Sequence, residues 1–302
     1  MPVSPPGTTP APSTTRIFQP AMTPVVQPPP GASSSFKGSK PCDGGSSSDG
    51  QSDSCSCNDT CTSAAHARSK FPLPKLRLEI RDLSHPGARL FLDSVNATEC
   101  MTTAANNLLR LLYGSPADPT TTAPPTRSVT LILRDMPGVA YTTGSELDDD
   151  HKEVHFSLPY VARVPAPRAP AEVAGVVTHE LVHCCQYNGF GTCPGGLIEG
   201  VADWVRLRCG LVPPHWTRSA DGDWDGGYQK TAYFLDYLEA RFGDGLVRRL
   251  NEKLRIQRYE ADSFWCELTG YGVDELWKDY GESLKGGKGG ATDGGAPTTS
   301  GS

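Results

Sequence analysis

Two segments, whose key residues His183 and Glu199 stand sixteen positions apart, do most to limit how this chain can fold. The first reads Thr178-His179-Glu180-Leu181-Val182-His183, the second Gly196-Leu197-Ile198-Glu199-Gly200-Val201-Ala202-Asp203-Trp204. Each sets two polar residues four apart, His179 with His183 and Glu199 with Asp203, and on a helix that spacing puts both on one face, a turn apart. Val173, Val176, Val177, Leu181 and Val182 give the first segment an apolar backing. Two imidazoles and a carboxylate are poorly placed in such a helix unless something binds them. His179 and His183 can offer two nitrogens to one metal ion, with Glu180 beside the open position: the HExxH arrangement of two zinc ligands and a general base. A hydrolytic zinc site takes three protein ligands and leaves a fourth position to water. Glu199 fits the third ligand, and Asp203 fits the carboxylate that fixes the tautomer of a ligating histidine. The linker from Gln186 to Gly196 holds four glycines and a proline, which let the chain reverse and bring the two helices together. One Zn2+ ion is therefore expected.

Around these segments the pattern is mixed. Leu76-Arg77-Leu78-Glu79-Ile80 alternates as a half-buried strand does. Met101, Ala104, Ala105, Leu108, Leu109 and Leu112 recur at helical steps, which predicts a helix from Asn96 to Tyr113, capped by Asn96 or Ser94 and ended by Gly114 and Pro116. A Pro/Thr loop covers 116–126, and strands are predicted over Val129–Leu133 and Glu153–Leu158. Helices follow over Ala171–Tyr187, Ile198–Cys209, Tyr228–Phe242, Leu246–Ile256 and Val273–Leu284. Strands early and helices late give an α+β domain with a small mixed sheet, an active-site helix and a C-terminal helical part. The acidic run from Glu146 to Asp150 reads as a solvated loop, with calcium binding a lesser reading. His155, with no second ligand at metal spacing, reads as a strand residue.

Composition sets the boundaries. Of the first 70 residues, 38 are Ser, Thr, Pro or Gly, and such a segment cannot offset its ordering entropy. The expected organisation is a disordered leader over 1–70, one folded domain over 71–284 and a Gly/Thr-rich tail over 285–302. No apolar run approaches the roughly 18 residues of a spanning helix, so no integral membrane segment is expected. A net charge of −6 lacks the basic surface that nucleic acid demands. The expected partner is a peptide or protein substrate and the expected state a monomer. Met1–Pro30 has neither the basic start nor the apolar stretch of a secretory signal, whereas ten cysteines and the sequons at Asn58 and Asn96 suit an oxidising compartment, so the compartment stays open. Cys42, Cys55, Cys57 and Cys61 form no paired CxxC pattern. Cys184 and Cys185 follow His183, and Cys184 points about 100° around the helix from it, towards packing or a disulfide.

HExxH followed by ExxxD resembles the gluzincin metallopeptidases. More specifically, HELVHCCQYNG, PGGLIEGVADWVRLRCG and WDGGYQKTAYFLDYL, with VTLILRDMPGVAYTTG and EVHFSLPYVARV upstream, resemble the basic secretory protein family of plant and bacterial metallopeptidases over most of residues 73–284. The resemblance implies a zincin-like domain, an extracellular zinc peptidase and, for the strand Glu153–Leu158, an edge that pairs with extended substrate. His179, His183 and Glu199 would hold zinc and Glu180 would act as general base. Tyr228, which opens a helix behind two glycines, would donate to the developing oxyanion, with His215 and Tyr187 as rivals. No Gly-x-Met-Glu-Asn segment is present, which favours an endopeptidase over the aminopeptidase branch. The alternatives are a non-catalytic zinc-containing defence or interaction protein, and a zinc hydrolase of non-peptide substrates.

Overall fold

A computed structural model of the protein describes residues 71–286; the expected leader and most of the expected tail, with Cys42, Cys55, Cys57, Cys61 and the Asn58 sequon, lie outside the described residues. A four-stranded sheet runs β1 (Lys75–Ile80), β2 (Ser128–Arg134), β4 (Asp148–Ser157), β3 (Ala140–Ser145) in spatial order. β1, β2 and β4 are parallel; β3 returns antiparallel to β4. Leu131 lies opposite Val154 and Leu133 opposite Phe156, so the pleat turns these chains to one face. All four are fully buried. On the other face His155 stacks on its cross-strand neighbour Tyr141, with ring centres 4.6 Å apart.

Helices α1 (Pro86–Ser94) and α2 (Ala97–Tyr113) connect β1 to β2. α2 forms where its apolar spacing predicts it: Asn96 caps it by accepting from the Glu99 amide, and Gly114, with φ 73°, ends it in a conformation that suits glycine. α3 (Leu158–Arg163) follows β4 directly, and α4 (Ala169–His183) then crosses the domain. From Val173 to Val182 every α4 residue but Ala174 is buried. A helix apolar on nearly all sides is a core helix rather than a surface one. It packs on α2, α5 (Gly195–Arg208) and β3.

The C-terminal part holds α6 (Tyr228–Phe242), α7 (Leu246–Ile256), α8 (Ala261–Thr269) and α9 (Val273–Gly286). Phe234 of α6, Trp265 of α8 and Tyr280 of α9 are fully buried, and Trp224, from the loop before α6, meets Trp265 edge-on at 5.4 Å. That aromatic cluster ties the approach to α6 into the core. The buried Glu239 carboxylate accepts from the Gly245 and Val247 amides and so caps the start of α7. Among the described residues, no helix is long and apolar enough to cross a membrane.

The structure corrects the sequence reading at four places. The helix expected over Ala171–Tyr187 ends at His183, because the chain leaves the helix as the Tyr187 amide is taken by the Asn251 side chain. Leu158 opens α3 instead of closing a strand, since Ser157 caps that helix through the Tyr160 amide. The acidic run is not a loop throughout: Asp148–Asp150 begin β4, and the Asp148 carboxylate pairs with Arg127. β4 is not an edge strand, for it has β2 on one side and β3 on the other. The edges are β1 and β3, and α1, α3, α8 and β3 are elements that the periodicity did not reveal.

α5 and α6 meet at Gly200, where an added Cβ would lie 2.3 Å from Cγ2 of the fully buried Thr231. Thr231 cannot yield, because its hydroxyl donates to the Trp224 carbonyl and accepts from the Gly227 amide. Gly200→Ala is therefore expected to cost about 1–3 kcal/mol by overpacking. For a domain of this size thermal denaturation should show a fall of roughly 2–4 °C per kcal/mol. An unchanged midpoint would show that the contact relaxes freely.

Candidate metal centre

The last two turns of α4 and the first turns of α5 bring the candidate side chains together. α5 starts where it does because Pro194 fixes the entry and glycines permit close approach: a Cβ on Gly196 would sit 1.6 Å from the Asp225 carbonyl. The helix start is thereby pressed against the turn that precedes α6, and Glu199 is held facing α4. His179 and His183, one turn apart, direct Nε2 atoms towards each other at 3.0 Å. Glu199 Oε2 lies 3.1 Å from Nε2 of His179 and 3.6 Å from Nε2 of His183. Nitrogen and oxygen ligands about 2.0–2.1 Å from a tetrahedral ion stand roughly 3.3 Å from one another. The three separations fall on either side of that value. Two imidazoles and one carboxylate, converging within 4.8 Å, fit a single divalent cation.

The outer contacts favour the same arrangement. Asp203, one turn beyond Glu199 and buried, accepts a hydrogen bond from Nδ1–H of His179 at 2.7 Å and leaves Nε2 of that ring facing Glu199. Burial opposes a charge on His179, but the hydrogen bonds to Asp203 and Glu199 outweigh it and raise the imidazole to about 10. Burial likewise opposes charge on Glu199, and its bonds to His179 and His183 overcome that and hold the carboxyl far below its ordinary range. A cluster that favours positive charge between two rings and two carboxylates is suited to a cation.

Glu180 is buried beside this cluster, and its Oε2 accepts from the Thr142 hydroxyl of β3 at 2.7 Å. The same hydroxyl lies 3.0 Å from the Glu180 carbonyl, so the edge strand is fastened to the helix at that residue. Tyr228 has φ 47°, uncommon for a bulky side chain, and follows Gly227 at φ 79°. This backbone turns its half-exposed ring parallel to that of His179, 11° apart in plane and 6.1 Å between centres. Gly227 N bonds to Thr231 Oγ1 and holds the turn in place.

The two rivals of Tyr228 are placed elsewhere. His215 lines a cleft with Tyr160, Arg163 and Glu172 towards the start of α4. The Tyr187 hydroxyl is spent on the carbonyls of Thr122 and Ala123. His155 is a buried strand residue bonded through Nε2 to Glu153, as its sequence context predicts. Cys184 and Cys185 are buried free thiols; burial pushes Cys184 well up and Cys185 to about 12. Two neighbours of the cluster escaped the sequence reading. Thr142 belongs to a strand that went unrecognised. Gln186 approaches Nδ1 of His183 at 2.7 Å, and its position three residues on, on the same helix face, was the available signal.

A family model described as a peptidase of plants and bacteria matches residues 73–280. No curated protein and no solved structure matches the chain.

Removing the Asp203 carboxylate leaves His179 free to turn and to change tautomer. Asp203→Ala is expected to weaken divalent-ion binding about 10–100-fold, read by zinc competition against a chromophoric chelator. Equal affinity in variant and wild type would deny Asp203 that role.

Proposed function

We propose that this chain, which belongs to the basic secretory protein family of plant and bacterial peptidases, is a zinc-dependent endopeptidase. The family makes it a hydrolase acting on peptides or proteins. The observation that carries the finer reading is the convergence of His179, His183 and Glu199 within 4.8 Å, three ligands rather than the four of a closed structural site. Bound there, zinc would supply Lewis acidity, making water a nucleophile near neutral pH and polarising the scissile carbonyl.

Each remaining part falls to the chain's own residues. Glu180 takes a proton from the attacking water as the oxygen adds to the carbonyl carbon, then returns it to the amide nitrogen as the C–N bond breaks. The Thr142 hydroxyl steadies that carboxylate for both transfers. Asp203 keeps His179 in the tautomer that presents Nε2. Tyr228, ring to ring with His179, donates from its phenol to the oxyanion that develops on the carbonyl oxygen. β3 stands at the end of the strand order, and its outer backbone groups can pair with an extended substrate, as strand addition does elsewhere. Since Thr142 of β3 also holds Glu180, a peptide bound along this edge is aligned by the strand that steadies the base.

Two substitutions separate these roles. Glu180→Gln should retain the metal yet lose hydrolysis of a casein-type substrate by at least 100-fold, the lower end of general-base contributions. A variant as active as wild type would overturn the assignment. Tyr228→Phe should reduce kcat on the order of 100-fold with zinc content unchanged, the scale seen for one oxyanion donor. Unaltered turnover would remove Tyr228 from the mechanism. Loss of all cleavage on chelation, restored by added zinc, is the accompanying control.

A further inference from the structure

The two histidines of the cluster are treated differently by their surroundings. His179 donates a hydrogen bond from Nδ1–H to the Asp203 carboxylate. His183 has no carboxylate on Nδ1; the group there is the Gln186 side-chain amide, with Nε2 placed 2.7 Å away. In that orientation the amide donates and Nδ1 accepts, which obliges neutral His183 to carry its proton on Nε2. Yet Nε2 is the atom aimed at His179 and Glu199. Meanwhile Gln186 Oε1 is buried without a hydrogen-bond partner. The oxygen and nitrogen of a side-chain amide have nearly the same shape, so their assignment rests on the hydrogen bonds they make. Turning the amide by 180° about its last torsion puts Oε1 on Nδ1, where it accepts from Nδ1–H. Nδ1–H then has its acceptor and the Nε2 lone pair of His183 is released towards the cluster, while the amide NH2 takes the buried position that Oε1 held.

We infer that Gln186 is the positioning residue of His183, its amide oxygen accepting from Nδ1–H and thereby holding Nε2 in the ligating tautomer. This rests on the reading of the cluster as a metal site. The division of labour follows from charge. Glu199, Asp203 and Glu180 already bring three carboxyl groups to the cluster. A neutral amide orients the second ring without adding a fourth. Spacing supports the geometry: Gln186 lies three residues after His183, and its backbone N–H still donates to the Val182 carbonyl, so it continues the helical path just past the end of α4.

The experiment is zinc competition against a chromophoric chelator on the full chain, for wild type, Gln186→Leu and Gln186→Glu. Gln186→Leu keeps the bulk and removes the acceptor; it should bind zinc about 10–100-fold more weakly. Gln186→Glu restores an acceptor and should return affinity to within a few-fold of wild type or tighter. Imidazole 15N shifts of the zinc-loaded wild type should show Nδ1 of His183 protonated. If wild type takes up no zinc, the metal reading fails and this inference with it. If wild type binds and Gln186→Leu binds equally well, or if 15N shifts show His183 protonated at Nε2, the role of Gln186 alone is overturned. Should Gln186→Leu misfold, the 15N shifts of the wild type decide.

Discussion

A helix buried on nearly every side has been made to carry two imidazoles and a carboxylate, and the surrounding structure answers that cost. Polar groups in such a place are tolerable only when each finds a partner. Asp203 and Glu199 come from α5, Thr142 from β3 and Gln186 from the turn beyond α4. Those partners are what place α5 against α4 in one register and hold β3 close to the helix. The fold and the cluster are therefore one problem, and removing either set of groups leaves the other uncompensated.

The parts of this arrangement that could be read in advance are those with local spacing. The pairs His179/His183 and Glu199/Asp203 announce themselves because the helical period brings residues four apart together. The same rule gave α2, α6 and α7 with ends at or within one residue of those found. What stayed hidden depends on distant groups. α4 stops at His183 because Asn251, far along the chain, claims the next backbone amide that matters. β3 is a Thr- and Gly-bearing stretch whose strand character comes from pairing with β4, so neither it nor the edge position of Thr142 had a local signature.

Glycine marks the places where the site is assembled rather than merely connected. Gly196 lets the start of α5 touch the backbone at Asp225, and Gly200 lets its next turn touch Thr231. These two contacts set the distance from Glu199 to Tyr228, which neither residue could set itself. The Trp224–Trp265–Phe234 cluster then supports that turn from behind. Precision at the cluster is thus supplied by backbone proximity on one side and aromatic packing on the other, and the left-handed backbone at Tyr228 is its local cost.

The sulfur chemistry of the domain follows from burial. Cys184 and Cys185 stand next to His183, but their thiols are driven up in pKa and enclosed, and only the thiolate reacts readily. Cys266 on α8 is the exposed one among the described cysteines. Oxidants and alkylating reagents will therefore meet α8 well before the helix that bears the imidazoles. A fluorophore coupled through sulfur has an address on this domain away from the His179–His183–Glu199 cluster.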